Sequence, residues 1–216
     1  MFDRIAPRYD LANHLLSGGA DYFWRRRAAR IVEQWQPARV LDVACGSGDL
    51  AIALQRRIPA AQITAIDFAD EMIALARRKG VQNALVADAM NLPFPSGSFH
   101  AVTIAFGLRN MADWAAALRE MRRVLATAGH LLILDFSSPV RLLRPVYRTY
   151  LHRILPRLAA AITGAADAYG YLGDSIERFP SGAAMLELIS QNGFRAAAAT
   201  PLSAGIATIY TAAAAP

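Results

Sequence analysis

The residues best suited to chemistry lie in Asp42-Val43-Ala44-Cys45-Gly46-Ser47-Gly48-Asp49, directly after the apolar pair Val40-Leu41. Val40 to Ala44 fit a strand buried on both faces, and Gly46 and Gly48 lack the Cβ atoms that would hold a ligand off the backbone. The helical pattern that follows aims its first N–H groups at whatever lies over the loop. Gly46-x-Gly48-x-x-Ala51 satisfies the loose dinucleotide fingerprint, and Asp67, followed by Phe68, ends the next strand where a ribose-binding carboxylate is expected. Asp42 tips the balance away from NAD. It would repel a pyrophosphate but attract the ammonium group of S-adenosylmethionine, directly or through water. After the third strand, Asp88 is placed to accept from an adenine amino group and the Ala89 N–H to donate to the ring. The expected contacts of S-adenosyl-L-methionine are therefore Asp42, Gly46, Ser47, Gly48, Asp67, Phe68, Asp88 and Ala89.

These residues need a sheet to align them, and the pattern supplies one. Ala28 to Trp35, Asp49 to Arg57, Glu71 to Lys79, Trp114 to Leu125 and Ala183 to Gln191 have helical spacing. Val40–Ala44, Ile63–Ile66, Ala84–Ala87, Ala101–Ala105 and His130–Phe136 read as strands between them. Such alternation implies a parallel α/β sheet with helices on both faces, and Asp42, Asp67 and Asp88 fall at its ligand-binding carboxyl edge. The end differs. Phe194–Thr200 and Ile206–Thr211 are too close for a parallel crossover and must pair as an antiparallel hairpin.

At 216 residues and 55% hydrophobic content the chain suits one compact domain. Its formal charge of +6 comes almost wholly from arginine, since Lys79 is the only lysine. That excess fits an anionic partner, or simply an arginine-rich composition. Cys45, the sole cysteine, excludes an internal disulfide and a multi-cysteine metal site, and no metal is expected. Near a helix N-terminus it has some appeal as a nucleophile, but a small residue is all the bend requires. No signal-peptide core and no apolar run of the ~20 residues needed to span a bilayer is present, so a cytoplasmic location is expected.

The stretch 139–180 exceeds any ordinary connection. Arg141, Arg144, Arg148, Arg153 and Arg157 are interleaved with apolar residues at helical spacing. It reads as a helical cap over the substrate side, either an ordinary amphipathic cover or one that meets an anionic membrane at its inner face.

Further motifs are more specific. Tyr9-Asp10-Leu11-Ala12-Asn13-His14-Leu15-Leu16-Ser17 continuing to Trp24, Phe106-Gly107-Leu108-Arg109-Asn110, Arg123-Val124-Leu125 with Leu134-Asp135-Phe136-Ser137, and Tyr169-Gly170-Tyr171-Leu172-Gly173-Asp174-Ser175-Ile176 together resemble the ubiquinone/menaquinone biosynthesis C-methyltransferase family over nearly the whole chain. The resemblance implies a class I methyltransferase sheet, substrate-side helices in 1–35, and methyl transfer from S-adenosylmethionine to a ring carbon of a polyprenylated quinol. It makes Tyr9, Asn13, Trp24 and Tyr171 substrate contacts and places Ala105 near the cofactor, where many relatives have a hydroxyl. The chain departs from the family at Ala12 for methionine, Asp21 for histidine, Ala126 to Gly129 for Lys-Pro-Gly-Gly, and Asp135 for glutamate.

The reaction itself sets further demands. A quinol carbon becomes nucleophilic when a neighbouring hydroxyl loses its proton, and a phenol pKa near ~10 calls for a base or a nearby cation. Arg109, with Asn110 at the end of the fourth strand, is expected to stabilise the phenolate or hold a water, a structural salt bridge being the plainer alternative. Asp10 and His14 are the candidate bases. Demethylmenaquinol is the expected acceptor, with the ubiquinone-pathway ring as its close alternative. A nucleic-acid methyltransferase, which lacks support from any Asn-Pro-Pro-Tyr motif, a noncatalytic cofactor-binding protein and an NAD dehydrogenase are the more distant readings; no nucleic-acid partner is expected.

Overall fold

A computed structural model of the chain describes residues 17–140, 144–154, 173 and 175–216. Its strands are β1 (Arg39–Val43), β2 (Gln62–Asp67), β3 (Ala84–Val86), β4 (Phe99–Ala105), β5 (Leu125–Phe136), β6 (Phe194–Leu202) and β7 (Ala207–Ala214). They form one sheet in the order β3-β2-β1-β4-β5-β7-β6. The first five are mutually parallel, and β7 runs antiparallel to both β5 and β6. The expected terminal hairpin is thus present, closed by a tight turn at Ser203–Gly205. The helices are α1 (Ala20–Gln34), α2 (Asp49–Arg57), α3 (Asp70–Arg78), α4 (Trp114–Val124), α5 (Arg144–Thr149, continued by a wider turn through Tyr150–Ile154) and α6 (Ala183–Gln191).

Alternation along the strands decides which helices each residue meets. Val40 of β1 joins Ala28, Val32, Leu50, Leu54 and Ile73 in a layer built by α1, α2 and α3. Leu41 and Val43 face the opposite layer, with Leu118, Met121 and Val124 of α4 and Met185 and Ile189 of α6. Period two therefore puts Asp42 on the Val40 face, under α1 and α2. Thr103 lies beside it, because β1 and β4 pair with Asp42 opposite Thr103. Successive strands step outward from β1 to β3 on one side and from β4 to β5 on the other, so the loops after β1 and β4 diverge and leave a crevice above the carboxyl edge.

Two boundaries differ from expectation. Helix α1 starts at Ala20, two turns before Ala28, because Asp21 and Trp24 turn inward while Tyr22 and Phe23 are exposed, the reverse of what their polarity suggests. The Trp24 indole N–H donates to the Ser203 hydroxyl at 3.0 Å and anchors those turns to the β6–β7 connection. Strand β5 begins directly where α4 ends instead of at His130, with Ala128 left-handed (φ 60°) where the family resemblance leads one to expect glycine. Tyr9, Asp10, Asn13, His14 and Tyr171, with Ala12, Arg141 and Arg157, lie outside the described residues.

The glycine loop owes its shape to packing as much as to ligand access. Gly48 has φ 85°, and a Cβ there would stand 2.5 Å from Val81 Cγ2 and 3.2 Å from Ala76 Cβ. Val81 is buried and its short side chain has nowhere to swing. Gly48→Ala is expected to cost about 2–4 kcal/mol through overpacking and left-handed strain, read as a lower urea midpoint at unchanged m-value.

Candidate active site

The loops after β1 to β4, the start of α1 and the α5 region enclose a cavity of about 990 Å³. That is the top of the roughly 300–1,000 Å³ range of small-molecule sites, room for more than one ligand.

The glycine loop forms part of its wall. Asp67 accepts the Gly46 N–H on Oδ2 at 2.8 Å and the Ala69 N–H on Oδ1 at 3.0 Å, so the carboxylate ties the loop after β1 to the end of β2. Lys79, at the end of α3, ion-pairs with Asp49 and donates to the Ser47 hydroxyl at 3.0 Å, bracing the same loop from behind. Asp88 Oδ1 accepts the Met90 N–H at 2.8 Å and sets the turn that brings Ala89 to the cavity. Gly46, Ser47, Asp67, Phe68, Asp88, Ala89 and Ala105 all line it, and the Phe68 ring is 79% exposed. Gly48 and Asp42 stand behind the wall.

Asp42 is 1% exposed. Its Oδ1 accepts from Thr103 Oγ1 at 2.7 Å, whereas Oδ2 has no hydrogen bond among the described residues. Burial pushes the carboxyl up to about 7, against the Thr103 hydrogen bond, the Arg25 charge and the Ala51 N–H, with Asp67 adding repulsion. Asp42 is thus not part of the cavity surface, so of the two forms of contact expected with an ammonium group, direct or through water, this position suits the one through water. Cys45 is buried, and burial with Asp42 and Asp67 nearby pushes its thiol up, which agrees with its reading as a small structural residue.

Trp24, Phe106 and Phe136 build an aromatic wall. The Phe106 and Phe136 centroids are 4.8 Å apart and Trp24 lies 6.1 Å from each. Phe106 is left-handed (φ 60°) immediately after β4, a strained position for a non-glycine residue. Arg109 is pinned: Nη1 donates to the buried Asp135 at 2.7 Å and to the Phe106 carbonyl, and the guanidinium packs over both phenyl rings. Asn110 Nδ2 reaches the same carbonyl at 3.4 Å. Arg109 and Asn110 do line the cavity, but the structural salt bridge is what the geometry gives Arg109. Val146, Tyr147 and Tyr150 of the cap region close over this part, together with Leu151 and Ile176. Burial raises the Tyr147 and Tyr150 phenols, so both present neutral hydroxyls.

Sequence reading passed over Arg25, whose guanidinium lies 5.1 Å from the Phe106 centroid and 3.7 Å, at Nε, from Asp21 Oδ2. In the run Arg25-Arg26-Arg27 nothing marks one arginine; burial of its neighbour Trp24 is the signal. The wall suits S-adenosylmethionine. Carboxylates, a stiffened glycine loop, and Phe68, Met72 and Met90 offer an apolar bed and negative charge for a cationic nucleoside, while the wall's arginines sit against Phe106 and not over the glycine-loop amides.

Known proteins share this fold and, in part, this sequence. A methyltransferase from Thermotoga maritima, titled a possible histamine N-methyltransferase, superposes with a TM-score of 0.71 at 19% identity, covering 98% of this chain and 97% of its own. A phosphoethanolamine N-methyltransferase of Haemonchus contortus, solved with S-adenosyl-L-methionine, gives 0.61 at 13% identity over 82% of this chain and 49% of its own. The fold is therefore that of class I S-adenosylmethionine-dependent methyltransferases. In sequence, the chain is 49% identical to a demethylmenaquinone methyltransferase of Thermus thermophilus over 90% of this chain and 91% of that protein. It is 42% identical to a ubiquinone/menaquinone biosynthesis C-methyltransferase of Geobacter sulfurreducens over 98% and 86%. Residues 1–214 match the ubiE/COQ5 methyltransferase family, and the chain belongs to it.

Proposed function

We propose that this protein uses S-adenosylmethionine to methylate a ring carbon of a polyprenylated quinol, with demethylmenaquinol as its acceptor. The observation that carries the reading is a single cavity whose wall combines a carboxylate-tied glycine loop with an aromatic box under a cap. The relatives named above support the acceptor. When bound, S-adenosylmethionine supplies an electrophilic methyl group on a sulfonium.

The chain's own residues do the rest. Asp67 and Asp88 hold the nucleoside against Phe68, Ala89 and Ala105, and Asp42 answers the ammonium charge from behind the loop. Trp24, Phe106 and Phe136 fix the plane of the acceptor ring, and proximity of this kind supplies much of the rate. Tyr147 and Tyr150 exclude water from above. Asp10 and His14 remain the proposed bases, with Tyr9, Asn13 and Tyr171 on the acceptor. No described helix is long and apolar enough to cross a membrane. The exposed Val140 and Val146 lie in the same stretch as Arg144 and Arg148, the pairing of apolar and basic groups that seats a protein on an anionic bilayer at the cytoplasmic face.

The test is methyl transfer from labelled S-adenosylmethionine to demethylmenaquinol carried in vesicles. Label in the quinone fraction is expected, several-fold faster in anionic than in zwitterionic vesicles. Transfer only to a ubiquinone-type benzoquinol would change the acceptor, and binding of the cofactor without any transfer would sink the reading. Equal rates in both vesicles would remove the membrane contact.

A further inference from the structure

We propose that Arg25, not Arg109, is the cation that binds the ionised ring oxygen of the acceptor; the assignment rests on an aromatic hydroxyl acceptor as read above. Two guanidinium groups lie against Phe106, Arg25 at 5.1 Å and Arg109 at 5.8 Å from its centroid. Their commitments differ. Arg109 already gives Nη1 to the Asp135 carboxylate and the Phe106 carbonyl, and its charge is neutralised by a partner with no solvent exposure. Arg25 makes no hydrogen bond among the described residues: its buried Nε faces Asp21 Oδ2 across a loose 3.7 Å, too far to be satisfied, and its terminal nitrogens have no acceptor among those residues either. A guanidinium carries five donors, and leaving a buried one unused is costly unless an acceptor arrives.

What arrives has to be anionic, planar and apolar elsewhere. Arg25 opens onto the cavity beside Trp24, Phe106 and Phe136. An aromatic ring lying against those side chains brings a ring oxygen to Arg25 with the rest of its surface dry. In so poorly hydrated a place a charge-assisted hydrogen bond is strong, and it favours the phenolate over the phenol. The hydroxyl proton passes to the base proposed above, directly or through a water, and no bond to carbon changes in this step. Asp21 then has a role as the counter-charge that holds Arg25 before the acceptor binds, its own Oδ1 accepting from Ser17 at 2.7 Å.

The probe is 2-hydroxy-1,4-naphthoquinone, ionised at neutral pH, against its uncharged 2-methoxy analogue, titrated calorimetrically into the full-length protein. The wild-type protein is expected to prefer the hydroxy compound at least tenfold. Arg25→Gln should abolish that preference with the affinity for S-adenosylmethionine changed less than twofold at pH 8.5, where Asp42 has already lost its proton, and Arg25→Lys should keep most of it. Asp21→Asn, which releases Arg25, should tighten the hydroxy compound a few-fold and decides the matter if Arg25→Gln does not fold. A wild-type protein without the preference, an Arg25→Gln variant that retains it, or an Asp21→Asn variant that binds no more tightly would each overturn the assignment. A protein that shows the Arg25-dependent preference but methylates no quinol would overturn the acceptor reading and leave the cation in place.

Discussion

Replacing Arg109 by alanine is expected to destabilise the protein by about 3–5 kcal/mol, enough to consume much of the stability of an ordinary domain. The cause is Asp135. It is 0% exposed on β5, its Oδ1 accepts both Arg109 at 2.7 Å and the N–H of the next residue, Phe136, at 2.8 Å, and Oδ2 has no hydrogen bond among the described residues. Burial raises this carboxyl and the Arg109 charge and hydrogen bond hold it down. Without Arg109 the group must either stay charged in an apolar place or take up a proton. A lost turnover in Arg109→Ala would therefore say nothing about chemistry. The informative variant is Arg109→Met with Asp135→Leu, which removes both charges together. Buried pairs replaced by apolar residues are often neutral or better, so urea denaturation should place the double variant within about 1 kcal/mol of wild type while Arg109→Ala alone is crippled. A single variant as stable as wild type would show that the pair holds nothing. With the phenolate carried by Arg25, the folded double variant should keep the hydroxy-over-methoxy preference.

The comparison of those two arginines shows what a sequence conveys and what it withholds. Strand positions were legible because burial on both faces writes an apolar run, as in Val40-Leu41 and Val102 to Ala105. The α2 helix, Asp49–Arg57, was legible to the residue because glycine precedes it and isoleucine and proline end it. The glycine loop and the carboxylates at three strand ends were likewise legible, since parallel strands must deliver their ends to one edge. The tertiary partner of a charge was not. Asp135 lies 26 residues from Arg109, and Ser47 lies 32 from Lys79. Local pattern has no reach over such distances. Asp21 and Arg25 failed for a different reason: α1 buries a carboxylate and exposes Phe23, so a period read from polarity places the wrong face inward. The Asp42–Thr103 bond is intermediate, since it follows from pairing β1 with β4 in register, which needs strand order but no side-chain detail.

The second large effect is on pH, through Asp42. A buried carboxyl raised from 3.8 to about 7 binds its proton more tightly in the folded than in the unfolded chain. Its contribution to stability is complete below about pH 4, is lost as pH rises, and is gone above about pH 7, a change of about 4 kcal/mol at roughly 1.4 kcal/mol per pH unit. A cation brought to the loop reverses the preference and favours the carboxylate. Binding of S-adenosylmethionine should then release a proton at pH 5.5, about half a proton near pH 7, and almost none at pH 8.5. Calorimetry in buffers of different ionisation enthalpy measures this directly. Affinity should rise towards tenfold per pH unit below 7 and level off above it. Asp42→Asn should flatten the profile, lower affinity at pH 8 by tenfold or more, and make the cofactor-free protein more stable at pH 8 because an uncompensated buried charge is gone. A wild-type affinity that is flat from pH 5.5 to 8.5 would mean that Asp42 does not sense the cofactor. Thr103→Val separates the two influences on the group: with that hydrogen bond removed the carboxyl rises further, and the midpoint of proton release should move to higher pH.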